Sequence, residues 1–121
     1  MRLKVVVSLS LFFMIFVASI FHGVKFTVES NSGEWTGTVY IRADGSIDPP
    51  DAPIITYDNV TYTLTGNITS FADGIVVERD NIIIDGTGYI LEGTGEYPYK
   101  GVYLNGRSNV TIKNTTITTF Y

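Results

Sequence analysis

Two stretches of this chain are one unit written twice. "GIVVERDNIIIDGTGYI" begins at Gly74 and "GVYLNGRSNVTIKNTTI" begins at Gly101. With one extra residue in the second turn, Asn81 falls on Asn109, Ile82 on Val110, Ile84 on Ile112, and Asp85-Gly86 on Lys113-Asn114. An earlier, looser copy, "DNVTYTLTGNI", supplies Asn59, Val60, Tyr62 and Gly66. The interval from Asn59 to Asn81 is 22 residues and from Asn81 to Asn109 is 28. Both lie in the range of periods that build stacked-repeat architectures, in which no unit can bury its apolar face alone.

Alternation within the unit gives each side chain a direction. Successive residues of a strand point to opposite faces, so Ile75, Val77, Val102 and Leu104 share one face, opposite Val76, Glu78, Tyr103 and Asn105. In "NIIID" and "NVTIK" the inward set is Ile82, Ile84, Val110 and Ile112, and Ile83, Asp85, Thr111 and Lys113 face out. Stacked once per repeat at about 4.8 Å, the inward positions form an aliphatic column inside a coiled parallel sheet. The expected fold class is therefore all-β, a parallel solenoid. An immunoglobulin-like sandwich competes; it requires antiparallel neighbours, and so no stacking of Ile75 on Val102 or Ile84 on Ile112.

Asn59, Asn81 and Asn109 precede the apolar pair of each copy, and Gly74 and Gly101 open the two clear ones. Asparagine tolerates a left-handed backbone and bonds local amides, which suits a tight corner between strands. Stacked corners could also pass a hydrogen bond from one side-chain amide to the next. No stretch after Ile54 carries a sustained helical period. "GTVYIRADG" and "VKFTVES" read as short strands. "DGSIDPPDAP", residues 44–53, holds three of the four prolines and is expected to be a loop or a covering segment before the main body. The organisation expected is 1–23 as a leader, 24–56 as N-terminal strands and a proline-rich lead-in, and 57–121 as repeats.

Arg2 and Lys4 precede an apolar run, residues 5–21, broken only by serines. This reads as a secretory signal with small residues placed for cleavage after Ser19. An uncleaved anchor and a buried N-terminal element are the competing readings; about 20 apolar residues can just span a bilayer. Signal and anchor alike place the remainder across a membrane, extracellular or in the cell envelope, with membrane contact only through residues 5–21. Removing residues 1–19 leaves six basic against twelve acidic side chains, a net charge of −6, with no basic cluster to hold a phosphate backbone. Nucleic acid is thus an unexpected partner. The chain has no cysteine, so stability has to come from stacking, from further chain or from a partner.

The units at Gly74 and Gly101, with the lead-in "TVYIRADGSIDPPDAPI", resemble right-handed parallel β-helix repeats. The group they look like is that of the secreted archaeal and bacterial proteins classed with the periplasmic copper-binding protein that accompanies nitrous-oxide reductase. The resemblance covers roughly residues 38–121 and implies a fold shared by pectate-lyase-like enzymes, glycosidases, epimerases and surface proteins; fold does not choose among them. Copper fits poorly: soft sites draw on Cys, Met or His, while this chain has no Cys, its Met1 and Met14 lie in the leader, and its one histidine is His22. No cofactor or metal is expected. With little after the second clear copy, the sequence is expected to be the N-terminal part of a longer β-helix, whose remaining coils would be its first partner.

Two function classes follow. One is a non-enzymatic envelope protein displaying a face for a cell-surface polysaccharide or an envelope protein. The other is a carbohydrate-active enzyme with its catalytic residues largely beyond residue 121; no catalytic residue is assigned here. Asp73, Glu78, Asp80 and Asp85 crowd one repeat around Arg79, but Glu78 and Asp85 fall on different strands, and calcium or glycosidase chemistry needs carboxylates that converge. Tyr97, Tyr99 and Tyr103 lie near Lys100 and could stack on sugar rings, or could cover an apolar patch under the loop. The ligand-binding candidates are accordingly Tyr97, Tyr99, Tyr103, Glu78 and Asp85. Four glycosylation sequons begin at Asn59, Asn67, Asn109 and Asn114. A glycan on Asn109 would conflict with its corner, which leaves Asn67 and Asn114 as the expected acceptors.

Overall fold

A computed structural model describes residues 34–121. The leader, His22 and "VKFTVES" lie outside the described residues. Twelve short strands follow one another: β1 (Trp35–Thr36), β2 (Val39–Ile41), β3 (Ile47–Asp48), β4 (Ile54–Thr56), β5 (Thr61–Leu64), β6 (Ile68–Ser70), β7 (Ile75–Val77), β8 (Ile82–Asp85), β9 (Ile90–Gly93), β10 (Val102–Tyr103), β11 (Val110–Lys113) and β12 (Thr116–Thr118). No helix interrupts them among the described residues, so the chain is all-β there.

The strands form three four-stranded sheets, ordered β1-β6-β9-β12, β10-β7-β2-β3 and β11-β8-β5-β4. From β5 onward the chain visits the third, first and second sheet in strict rotation. Each return therefore lands beside the strand laid down one circuit before. Seven of the nine strand pairings are parallel, which excludes the sandwich. The register is the one the repeats predict: Val102 pairs with Ile75, Val110 with Ile82, and Ile112 with Ile84. The looser copy obeys it too, with Tyr62 beside Ile84.

Inward residues of all three sheets meet in one core. Val39, Ile41, Ile75 and Val77 come from the second sheet, Ile54, Tyr62, Leu64, Ile82 and Ile84 from the third, and Ile68 and Leu91 from the first. Full burial of each such aliphatic side chain contributes about 1.5–3 kcal/mol. Val102, Leu104, Val110 and Ile112 pack on this core but are only partly buried, since their strands are the last in each stack or border it. Val60 stands in the position equivalent to Ile82 yet is exposed; β4 pairs with β5 only from Tyr62 onward, so nothing covers Val60.

Residues 44–53 are both loop and cover. β3, inside that segment, pairs antiparallel with β2, and β4 just after it pairs antiparallel with β5. These are the only antiparallel pairs among the described residues, and they sit on the outer edge of two sheets at the stack's first end. The segment holds one short strand, Ile47–Asp48, at the edge of its sheet and not at its centre. An edge strand requires backbone bonds on one side only, which Pro49 directly after it permits. Stacking is tight at the start of each circuit. Gly74 donates its N–H to the Lys100 carbonyl, and Ile75 donates to that of Gly101. A Cβ on Gly74 would lie 2.5 Å from the Gly101 oxygen and 2.7 Å from a Leu91 methyl.

Candidate binding face

The outward residues of the second sheet line up across three circuits. β2 and β10 flank β7, with Tyr40 beside Val76 and Val76 beside Tyr103. Tyr40 and Val76 are half-buried and Tyr103 is 38% exposed, which gives a low aromatic-aliphatic-aromatic row. Two strand spacings, about 9.6 Å, separate the backbones of the two tyrosines.

A polar row runs beside it. The Arg42 guanidinium lies 4.2 Å above the centre of the Tyr40 ring. Its Nη1 donates to Glu78 Oε1 at 2.8 Å and its Nε to Asp48 Oδ2 at 3.1 Å, with a second bond from Nη2 to the same carboxylate. The Asp48 bond, then that to Glu78, raises the Arg42 pKa further above its already high ordinary value. β3 thereby fixes the arginine, and the arginine fixes Glu78 against the ring row.

The other acidic residues have their own local partners. Asp80 accepts the Ser108 N–H, and Asp73 accepts the Lys100 N–H at 2.7 Å. Asp85, on the third sheet, accepts from the Thr87 N–H and from Asn114 Nδ2 and lies 3.7 Å from Lys113 Nζ. Those first two bonds, in that order, hold its pKa below the ordinary carboxylate range. The fold thus keeps Glu78 and Asp85 apart, the one directly after β7 of the second sheet and the other at the end of β8 in the third. Among the described residues, no three His, Cys, Asp or Glu side chains are grouped to hold a metal.

Tyr97 is 82% exposed and Tyr99 half-buried, both on the loop that leads into β10 and therefore to Tyr103. The asparagine corners show a shared geometry. Asn59, Asn81 and Asn109 have φ of 55°, 59° and 54°, and Asn109 Nδ2 donates to Asn81 Oδ1 at 2.9 Å. Tyr40 and Arg42 escaped the sequence reading. The signal was present in "VYIR", where alternation opposes them to Val39 and Ile41, but only the stacking of β2 on β7 brings them to the Tyr103 row.

The chain matches no protein-family model, no curated protein and no solved structure.

Proposed function

We propose that residues 34–121 are coils of a right-handed parallel β-helix in an exported, envelope-associated protein, and that the outer face of its second sheet binds an extended polysaccharide. The rotation of the chain through three sheets supports the β-helix reading, and the strong preference of parallel crossovers for one hand supports the right-handed one. The basic start and apolar run of residues 1–21 support export, and the repeat pattern of Gly74 and Gly101 supports kinship with the copper-protein-like β-helix group.

The observation that carries the binding reading is the Tyr40–Val76–Tyr103 row. Its two tyrosines sit on strands two spacings of about 4.8 Å apart, close to the length of a disaccharide. Tyr103 is the open ring and Tyr40 is capped on one face by Arg42, whose pairing with Glu78 offers donors and acceptors to ring hydroxyls. Separate local partners for Asp73, Glu78, Asp80 and Asp85 favour binding over hydrolysis, which needs two carboxylates across one bond.

Affinity electrophoresis through gels containing soluble polysaccharides tests the reading. Retardation in at least one uncharged polysaccharide is expected, lost in Tyr103→Ala and kept in Tyr57→Ala, whose exposed ring lies outside the row. Equal retardation of both variants, or none in any gel, would refute it. Fractionation of the native host, with the mature N-terminus read by mass spectrometry, tests export separately.

A further inference from the structure

The four sequons are not equivalent once folded. Asn109 Nδ2 donates to Asn81 Oδ1, and Asn114 Nδ2 donates to Asp85 Oδ1 at 3.1 Å, so a sugar on either nitrogen has to share it with a bond of the fold. Asn59 is exposed, but its side chain lies close against the Gly45 loop, where an added Cβ would fall 2.8 Å from Asn59 Cγ and 2.9 Å from Asn59 Cβ. Asn67 is the reverse case: its Oδ1 accepts the Ile90 N–H at 2.9 Å. Only an amide oxygen can meet a backbone N–H, so the orientation of that side chain is fixed. Its Nδ2 has no hydrogen-bond partner among the described residues, and Asn67 is exposed. A sugar on Nδ2 of Asn67 therefore leaves every bond of the fold in place.

A second, independent feature lies at the same spot. Asn67 lines a groove of about 530 Å³ with Glu34, Trp35, Pro53 and Tyr89. Trp35 and Tyr89 come from different circuits, and Tyr89 remains 37% exposed. Aromatic walls with a carboxylate at the side are the surface on which a pyranose packs: its C–H face meets the rings while its hydroxyls reach polar atoms.

We propose that Asn67 is the N-glycan acceptor of this chain and that the first sugar of its glycan seats in the Trp35–Tyr89 groove. The proposal rests on the reading that the chain crosses a membrane. In the transfer step, Asn67 Nδ2 attacks the anomeric carbon of an oligosaccharide linked to a polyprenyl diphosphate. The C–N bond forms, the anomeric C–O bond breaks, the diphosphate leaves with the electron pair, and the amide gives one proton to a base of the transferase. Ile68 is fully buried and the Thr69 hydroxyl donates to Glu34, so transfer precedes docking of β6. The fold then decides which glycosylated chains can complete it.

The test places the full chain behind an added cleavable signal of known function in a eukaryotic host that glycosylates Asn-X-Thr during translocation. Glycopeptides are mapped in the secreted, protease-resistant fraction and in the retained fraction. Asn67 should be occupied in the former, with glycans on Asn59, Asn109 and Asn114 confined to the latter. Trimming the glycan to its first sugar should keep the melting temperature. Complete removal, which leaves an aspartate still able to accept the Ile90 N–H, should lower it by roughly 2–4 °C. Tyr89→Ala should abolish that difference and Tyr89→Phe should retain it. A folded fraction with Asn67 empty, or with glycan on Asn59, Asn109 or Asn114, overturns the acceptor assignment; a melting temperature indifferent to the first sugar, or a difference that survives in Tyr89→Ala, overturns the groove. Omitting the added signal reports on the native leader alone, so failure of export and failure of this proposal are read apart.

Discussion

Asn109 sets its side-chain amide on that of Asn81, 2.9 Å away and one full circuit earlier, and both residues hold the same left-handed backbone. The two features are separable. Asn81→Ala loses the bond and strains the backbone, at a combined cost of about 1–3 kcal/mol. Asn81→Gly loses only the bond and should cost less. Denaturant titration of the two variants checks the order; an alanine variant as stable as the glycine one would show that the corner geometry carries no strain.

Gly74 and Gly88 make a matched pair for testing how closely successive circuits approach. A Cβ on Gly74 runs into the Gly101 carbonyl and Leu91, whereas Gly88 has nothing within 4 Å and only a φ of +91° to satisfy. Gly74→Ala should destabilise by about 1–3 kcal/mol through overpacking. Gly88→Asn, which tolerates positive φ, should stay within about 0.5 kcal/mol of the parent. Thermal melts of the two suffice, and a harmless Gly74→Ala would contradict the stacking distance.

Tyr62 is fully buried and donates its hydroxyl to the Gly45 carbonyl at 2.7 Å. Burial raises its pKa above the ordinary phenol value, with Arg79 nearby opposing that shift. The folded state therefore keeps a proton that the unfolded chain releases. The resulting stability is intact below about pH 10 and falls as pH rises beyond it. Ultraviolet titration should show one of the eight tyrosines ionising last. Tyr62→Phe should remove that part of the alkaline slope and cost about 1–3 kcal/mol at neutral pH by leaving a buried carbonyl unpaired; an unchanged slope would place the phenol in water.

At the acid end three carboxylates, Asp44, Asp58 and Asp85, act in the opposite sense. Asp58 is lowered by the Thr61 N–H and then that of Val60, Asp85 by the Thr87 N–H and then Asn114, and Asp44 by the Ser46 hydroxyl and then its N–H. Each contributes stability above the unfolded carboxylate value that is lost as pH falls through its depressed folded one. Carbon-detected NMR titration should find all three below the usual aspartate range, and Asp85→Asn should flatten part of the acid slope. Ordinary midpoints for all three would refute these local hydrogen bonds.

How much could be read in advance depended on whether a residue's meaning was local. Ile84 over Ile112 was legible because alternation fixes direction and the asparagine corner fixes phase. Tyr40 was not, since an outward tyrosine acquires significance only from its lateral neighbours, here two circuits of chain away. The antiparallel cover at Ile47–Asp48 and Ile54–Thr56 repeats nowhere, so no periodicity announced it. Trp35 and Tyr89 share a groove from positions that no pattern in the chain links.

The circuits differ in length while their strands stay aligned, and the corner between the first and second sheets accommodates much of the difference. The chain takes residues 71–74 to pass from β6 to β7 and residues 94–101 to pass from β9 to β10, yet Ser70 still pairs with Gly93 and Ile75 with Val102. Lys100 is tied back to Asp73 at that corner, which anchors the longer passage at its far end. Contour length there is uncoupled from alignment. The corner is thus the natural splice point of the molecule: foreign peptide inserted between Gly95 and Tyr99 would be displayed beside the tyrosine row without moving a strand.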